Sequence, residues 1–397
     1  MPTKFSGTLN TNEFYDRLFN AYRFMATLAD ELDGLDTSLA NRFKFDGGAY
    51  NEKTVVSSMD ILHSYDTDLT DTNVLAPGEK VTPQQQELVV DKIRQIALYT
   101  DQYLTKRAWM TPEAFESFNT VVQSEINKTK NVYEQRLVDV FIGTTEAAMV
   151  NPYTSASAGL GQSQEVSINA SDSEDLRVRK VGKKIANILV DLQDSTRDFN
   201  DYGNMQSYKK DDLMIVWNAD YLNEFNYVDL PVIFHKDGII NFVGEKKPGK
   251  YFGKKITASN YSSYSAETPT AGKPIDSDTG AYTPGVNHAN GILRSTIAQD
   301  VIVGGTTYKL LPNDELPSGA IVYASSEIKI PCYIEDPTII CKIFHKDGVK
   351  FPTGFETSTE FFNAKNLSTN RYLTWMFGYP QYLMDRPFIT LREKVVS

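Results

Sequence analysis

Few side chains in this sequence of 397 residues are placed to do chemistry. There are four histidines, His63, His235, His288 and His345, and none falls in HExxH or a comparable zinc-binding spacing. Cys332, Cys341 and His345 are loosely spaced, and both cysteines lie in apolar, strand-like sequence. Buried inert thiols are expected there, rather than a metal site or a disulfide framework. The acidic run DTDLTD from Asp66 has the alternation of a calcium loop. It lacks the central Gly, and Pro77 stands where the loop needs its final Glu. DSDTG from Asp276 fails in the same way. No GxSxG, P-loop or GxGxxG occurs. Carboxylates are plentiful, but sequence cannot place two of them in one cleft. No catalytic, cofactor-binding or metal-binding residue is assigned, no cofactor is expected, and the chain is read as no enzyme. One short repeat stands out: FHKDGI at 234–239 returns as FHKDGV at 344–349. Asp-Gly favours hairpin turns, so two similar turns are the simplest reading and a paired binding tip is the alternative.

Composition points the same way. Apolar residues at 41% and charged residues at 23% are ordinary for a globular chain long enough for two or three compact units. The net charge of −11 argues against a general nucleic-acid binder, which needs a basic footprint. Tyr and Phe, 22 and 21 copies, suit interfaces and cores equally. No apolar run reaches 18 residues, so no membrane span is expected. The first ten residues lack the apolar stretch of a signal peptide, and the two cysteines fit folding in a reducing cytosol.

With so little chemistry to position, the elements themselves carry the reading. The stretch from Thr111 to Gly143 predicts one helix of about 30 residues, about 45 Å long. Thr111 would cap it, Pro112 suits its first position, and Gly143 suits its stop. Phe115, Phe118, Val122, Ile126, Thr129, Val132, Tyr133, Leu137, Val140 and Phe141 recur at threes and fours, an apolar stripe. Before it, Asn10 to Glu13 reads as a capping box opening a helix that ends at Gly34. From there to about Glu87 the helical pattern is gone: RFKFDGGAY turns at Asp46-Gly47-Gly48, KTVVSSMDIL is strand-like, and Pro77-Gly78 turns again. This reads as an extended hairpin arm. QELVVDKIRQIALYTDQYL fits helix or strand on periodicity alone. After Gly143, a small polar loop leads to a second capping box at Ser171 to Glu174. It opens an amphipathic helix carrying Leu176, Val181, Ile185, Ile188, Leu189, Leu192 and Phe199 to near Gly203. LMIVW is a buried strand, Asn218 caps the short helix ADYLNEF, and LPVIFH is a further strand. Residues 248–291, rich in Gly, Ser, Thr, Pro and Asn, predict a long loop or insertion. Tyr251, Phe252, Tyr261, Tyr264 and Tyr282 along it are expected to face a neighbour. Strands return at DVIVGGTTYKLL, GAIVYA and EIKIPCYI, and the aromatic tail is too apolar to hang free.

The order of these elements resembles a known family. A polar arm and helix lead to an extended hairpin, whose return QELVVDKIRQIALYTDQYL runs into the long helix ending VDVFIGTTEA. A loop, a second helix and LMIVWNADYLNEF follow, and the chain closes with STEFFNAKNLSTNRYLTWMFGYPQYLMDRPFITL. This looks like the major capsid protein of a tailed bacteriophage with the Hong Kong phage-type fold, most like those of small short-tailed phages of Gram-positive hosts. The resemblance implies an α+β fold with an N-terminal arm and helix at 1–33 and an E-loop hairpin at 34–86. A P domain with the spine helix would take 87–145, and an A domain 146–330 with the loop-rich insertion 248–291. Residues 331–397 would return to the P domain. It favours the strand reading of residues 87–100, and the sequence shows no clear pair for the Lys–Asn cross-link that some members form.

The function implied is structural: self-assembly into an icosahedral head enclosing double-stranded DNA, through hexamers and pentamers. Portal and scaffolding proteins would be partners, DNA would be near by proximity only, and no membrane would be involved. The location implied is the virion, after assembly in the host cytoplasm. An acidic chain suits a wall to which packed DNA should not adhere. The alternative is another virion or surface component, such as a tail or adhesin protein.

Overall fold

The computed structural model describes residues 38–62, 80, 82–101, 112–147, 163–227, 244–284, 291–365 and 368–396. The helix expected before Gly34, the acidic run at Asp66, the Pro77-Gly78 turn, LPVIFH and the first FHKDG copy lie outside the described residues.

The long helix runs Pro112–Thr144, 33 residues, about 50 Å at 1.5 Å per residue. Of its expected stripe, Ile126, Tyr133, Leu137 and Val140 are buried, and Thr129 is exposed. Phe115, Phe118 and Val122 lie outside the described side chains. The last third is buried over most of its circumference. Val138 and Ile142 are buried, and so are Glu134, Gln135 and Asp139. Burying such groups is costly unless each finds a partner, and each does. Glu134 pairs with Lys44 at 2.6 Å, and Asp139 pairs with Lys247 at 3.1 Å. Gln135 donates to Asp139 and accepts from the Ala40 N–H. These bonds fasten the helix to the elements around it. Gly143 is not the stop that its residue type suggested. It lies inside the last turn, and a Cβ there would meet the Tyr251 carbonyl oxygen at 2.1 Å. The glycine serves a close approach of backbone to helix, not a left-handed cap.

One five-stranded sheet lies at the centre, in the order Ser163–Asn169, Phe388–Val396, Ile339–His345, Leu213–Asn218, Glu245–Lys247. Side chains alternate across a strand, so LMIVW divides between two cores. Met214 and Val216 pack with the long helix, while Leu213 and Ile215 pack with the second helix. Ile339–His345 is buried along its whole length for the same reason. The second helix is Glu174–Gln193, and its buried face includes Val178, Val181, Ile185, Ile188, Leu189 and Leu192. It departs from expectation at both ends. Ser173, not Ser171, is the cap, its side chain accepting from the Leu176 N–H, and the helix ends at Gln193 rather than near Gly203. Phe199 is buried beyond the helix. Leu176 is 43% exposed and leaves the stripe. Asn218 caps its short helix as expected, accepting from the Asp220 N–H at 3.1 Å.

A second sheet runs Lys44–Asp46, Val349–Asn363, Ser368–Phe377, Lys92–Asp101, with Gln381–Tyr382 paired to its long strand. The ambiguous stretch is therefore strand, in two pieces, Gln84–Val89 and Lys92–Asp101. Asp46-Gly47-Gly48 does not close a hairpin. Lys44–Asp46 pairs in parallel with Phe351–Thr353, and the chain then turns out of the sheet. The helix Ser38–Phe43 ahead of it was missed: Leu39, Ala40 and Phe43 are buried in the main core. The excursion thus starts after Asp46, later than residue 34. Its hairpin pairs Lys53–Ser58 with Gln84–Val89. The second FHKDG turn also proves not to be a hairpin. It carries the chain from the central sheet at His345 to the second sheet at Val349.

Residues 248–291 overturn the expectation of a surface loop. Ile256, Tyr261, Ile275 and Tyr282 are buried with Leu293, Leu316, Val322, Cys332 and Ile334 in a third core. A three-stranded sheet, Leu293–Ser295, Cys332–Glu335, Gly253–Lys255, lies in this unit. Tyr261 stacks on Tyr323 at 3.9 Å between ring centroids. Of the aromatic residues expected to face a neighbour, Phe252, Tyr261 and Tyr282 are instead buried within their own subunit. The stretch DVIVGGTTYKLL, expected as one strand, is a hairpin of Gln299–Val303 with Thr306–Leu310, turning through Gly304 and Gly305 at φ +58° and +81°.

Candidate assembly surfaces

The residues singled out for chemistry scatter. Cys332 and Cys341 are buried in different cores, and burial pushes the Cys332 thiol up to about 12 and the Cys341 thiol further in the same direction. Such thiols stay protonated and unreactive. His345 is buried, its Nδ1 accepts the Asp347 N–H at 3.0 Å, and burial lowers its pKa. Asp276 folds its own turn, one carboxylate oxygen accepting from the N–H groups of Asp278 and Thr279 and from the Thr279 hydroxyl. Among the described residues no three His, Cys, Asp or Glu side chains converge as a metal site. His63, His235 and His288 lie outside the described residues.

Sequence reasoning missed two lysines at the end of the long helix, Lys342 and the half-buried Lys255. Lys342 is fully buried in the central sheet, and its Nζ donates to the Thr145 carbonyl at 2.9 Å and the Thr390 hydroxyl at 2.8 Å. Lys255 donates to the Thr145 hydroxyl at 3.2 Å. Both therefore meet the negative end of the long helix, where a cation is favoured. Burial lowers both pKa values, and Lys342, with Lys255 beside it, falls to about 7. The pair ties the helix end to two sheets. The only sequence trace is one Lys inside an otherwise apolar strand, IICKIFH.

What the fold does leave open is apolar surface. In the second sheet, alternation sends Arg94, Ile96 and Leu98 toward the long helix with Leu373, Trp375 and Phe377. Tyr133 of the helix meets Trp375 and Phe377 edge-on, and Arg94 lies over its ring at 4.5 Å. The opposite face carries Ile93, Tyr99, Phe355 and Phe361, which are 51%, 59%, 61% and 62% exposed. Phe361 contacts the Tyr372 ring on that face. These exposed apolar groups on one sheet face make it a candidate interaction surface. Lys92–Asp101 is also the last strand in the sheet order, and an edge strand offers unpaired backbone groups. The hairpin arm adds Val55, Met59, Ile61 and Leu62, all half exposed. A stripe at Phe355 and Phe361 could have been read from the tail's sequence, but only the pairing shows which side the helix covers.

No family model matches the chain, and no curated protein matches it in sequence. Solved structures do. A chain in the capsid structure of Staphylococcus phage Andhra is similar over 89% of this chain and 83% of its own, with a TM-score of 0.54 and 10% identity. A chain in the structure of the head fiber and inner core protein gp22 of native bacteriophage P68 is similar over 88% of this chain and 83% of its own. Its TM-score is 0.52, again at 10% identity. The chain thus has an α+β fold of the kind found in phage capsid structures. The likeness spans nearly the whole chain.

Proposed function

We propose that this chain is the major capsid protein of a tailed bacteriophage, which self-assembles into the icosahedral head enclosing double-stranded DNA. The observation that carries the reading is the fold shared with a phage capsid structure over 89% of the chain. The exposed apolar face around Tyr99 and Phe361 and the outlying hairpin supply surfaces for such assembly. In this reading the hairpin is the E-loop, the long helix and second sheet are the P domain, and the central sheet with the second helix is the A domain. The subunits form hexamers and pentamers, portal and scaffolding proteins join the shell, and DNA lies against an acidic wall without a dedicated site. The chain is structural rather than catalytic, and it resides in the virion after assembly in the host cytoplasm.

The second reading, another virion component, draws on the likeness to the P68 structure that holds head fiber and inner core protein. Electron microscopy of the purified chain separates the two. Closed shells support the capsid reading, and isolated trimers or fibres under every assembly condition overturn it.

A further inference from the structure

The hairpin arm is tied to its own subunit twice. Among the described strands, Lys53–Ser58 and Gln84–Val89 pair only with each other. Backbone bonds hold the base, with the Asn51 N–H donating to the Val90 carbonyl at 2.8 Å and the Gly47 N–H to the Thr353 carbonyl at 2.8 Å. Further out along the arm there is a second tie. Asp60 accepts from Arg197 and, at 2.9 Å, from the Met205 N–H. Ser58 accepts from the Asn204 side chain at 3.2 Å. On the facing strand, Gln86 donates to the Tyr382 carbonyl at 2.9 Å and accepts the Met384 N–H at 3.0 Å. Arg197 is held in place by a further bond to the Gly203 carbonyl at 2.8 Å.

This outer tie differs in kind from the base. At the base Leu88 and Val90 are buried. At the outer tie Val55, Met59, Ile61 and Leu62 remain half exposed, and the contacts are hydrogen bonds and one ion pair. Lifting the arm there would uncover little apolar surface. Partly exposed bonds of this sort are individually weak, and contacts of equal size with another molecule can replace them.

We propose that Asp60 and Gln86 form a releasable clasp, which holds the arm against its own subunit and sets the direction in which it leaves the body. The clasp stands on these contacts alone; its consequence, that release lets the arm take a different angle during shell assembly, rests on the capsid reading. The test uses the full chain as isolated subunits, comparing wild type with Asp60→Ala, Gln86→Ala and the double variant. Hydrogen exchange is followed in peptides covering residues 58–62, 203–206 and 382–386, with the strand Ile339–His345 as the internal reference. In the double variant, the Met205 amide is expected to exchange about tenfold faster or more, the size of a lost hydrogen bond to a charged group, and the Met384 amide, bonded to a neutral side-chain amide, several-fold faster. The reference strand keeps its protection and the melting temperature does not move. Unchanged exchange at 203–206 and 382–386 would overturn the clasp. Loss of protection in the reference strand would also overturn it, by making these contacts part of the core. The exchange result decides the clasp whether or not the chain forms shells, and shell formation by wild type decides the capsid reading separately.

Discussion

Lys342→Met should flatten the pH dependence of stability between pH 7 and 8.5. The wild-type amine is fully buried and carries two hydrogen bonds, and burial, with Lys255 beside it, brings its pKa from 10.5 to about 7. Well below pH 7 both the folded and the unfolded chain hold the proton, and the folded chain bears the whole cost of a buried charge. Between about 7 and 10.5 the unfolded chain binds more protons than the folded one, so stability rises with pH. At about 1.4 kcal/mol per pH unit, and with the amine half titrated at pH 7, the rise to pH 8.5 is about 1.5 kcal/mol. The window stops at 8.5 because the buried thiols Cys332 and Cys341, raised when folded, act in the opposite sense above their ordinary value of 9.0. Lys255 is lowered too, by burial, and stays in the variant, so the difference in slope reports the titration of the lysine pair. The methionine removes the buried charge and also leaves the Thr145 carbonyl and the Thr390 hydroxyl without that donor. These costs oppose each other, so the slope is the readout rather than stability at one pH. Urea unfolding of isolated subunits at four pH values across the window would measure it. Parallel slopes for wild type and variant would refute the argument, because they would mean that the buried amine does not titrate there.

Three further outcomes are expected. Leu137→Ala, at a buried position of the long helix, should cost about 2–5 kcal/mol in the same unfolding assay, since the surrounding core closes only partly over the cavity. The double variant Phe355→Ser and Phe361→Ser should leave subunit stability within about 0.5 kcal/mol, because both rings are exposed. Its shell yield, counted by electron microscopy, should fall, and normal yield would remove this face from assembly. Replacing residues 256–291 with a short Gly-Ser linker should give insoluble subunits rather than soluble ones that assemble poorly. The deletion would strip Leu293, Cys332 and Ile334 of the buried Ile256, Tyr261, Ile275 and Tyr282. Soluble, cooperatively folding subunits in a sedimentation assay would contradict the third core.

The sequence by itself determined the elements whose pattern is local. Helical spacing from Phe115 to Phe141 fixed the long helix to within a residue at each end, because an apolar stripe and the absence of breakers depend on neighbours three and four apart. LMIVW read as a buried strand, since a run with no polar face has nowhere to lie except between two layers. The element order was enough to point to the capsid-type fold, which the structural comparison shows. Tertiary structure decided what local pattern leaves open. The stretch 84–101 became strand because Lys92–Asp101 pairs along its whole length with Ser368–Phe377, a partner about 270 residues away. Gly143 was reassigned from stop to contact because the Tyr251 backbone crosses the helix there. Polar composition made 248–291 look like a loop, yet a few widely spaced residues, Ile256, Ile275 and Tyr282, suffice for a core when residues 293–334 supply the other half. The candidate assembly face has the same origin: Tyr99 and Phe361 share one exposed surface only because strand pairing places them on the side of the sheet that the long helix does not cover.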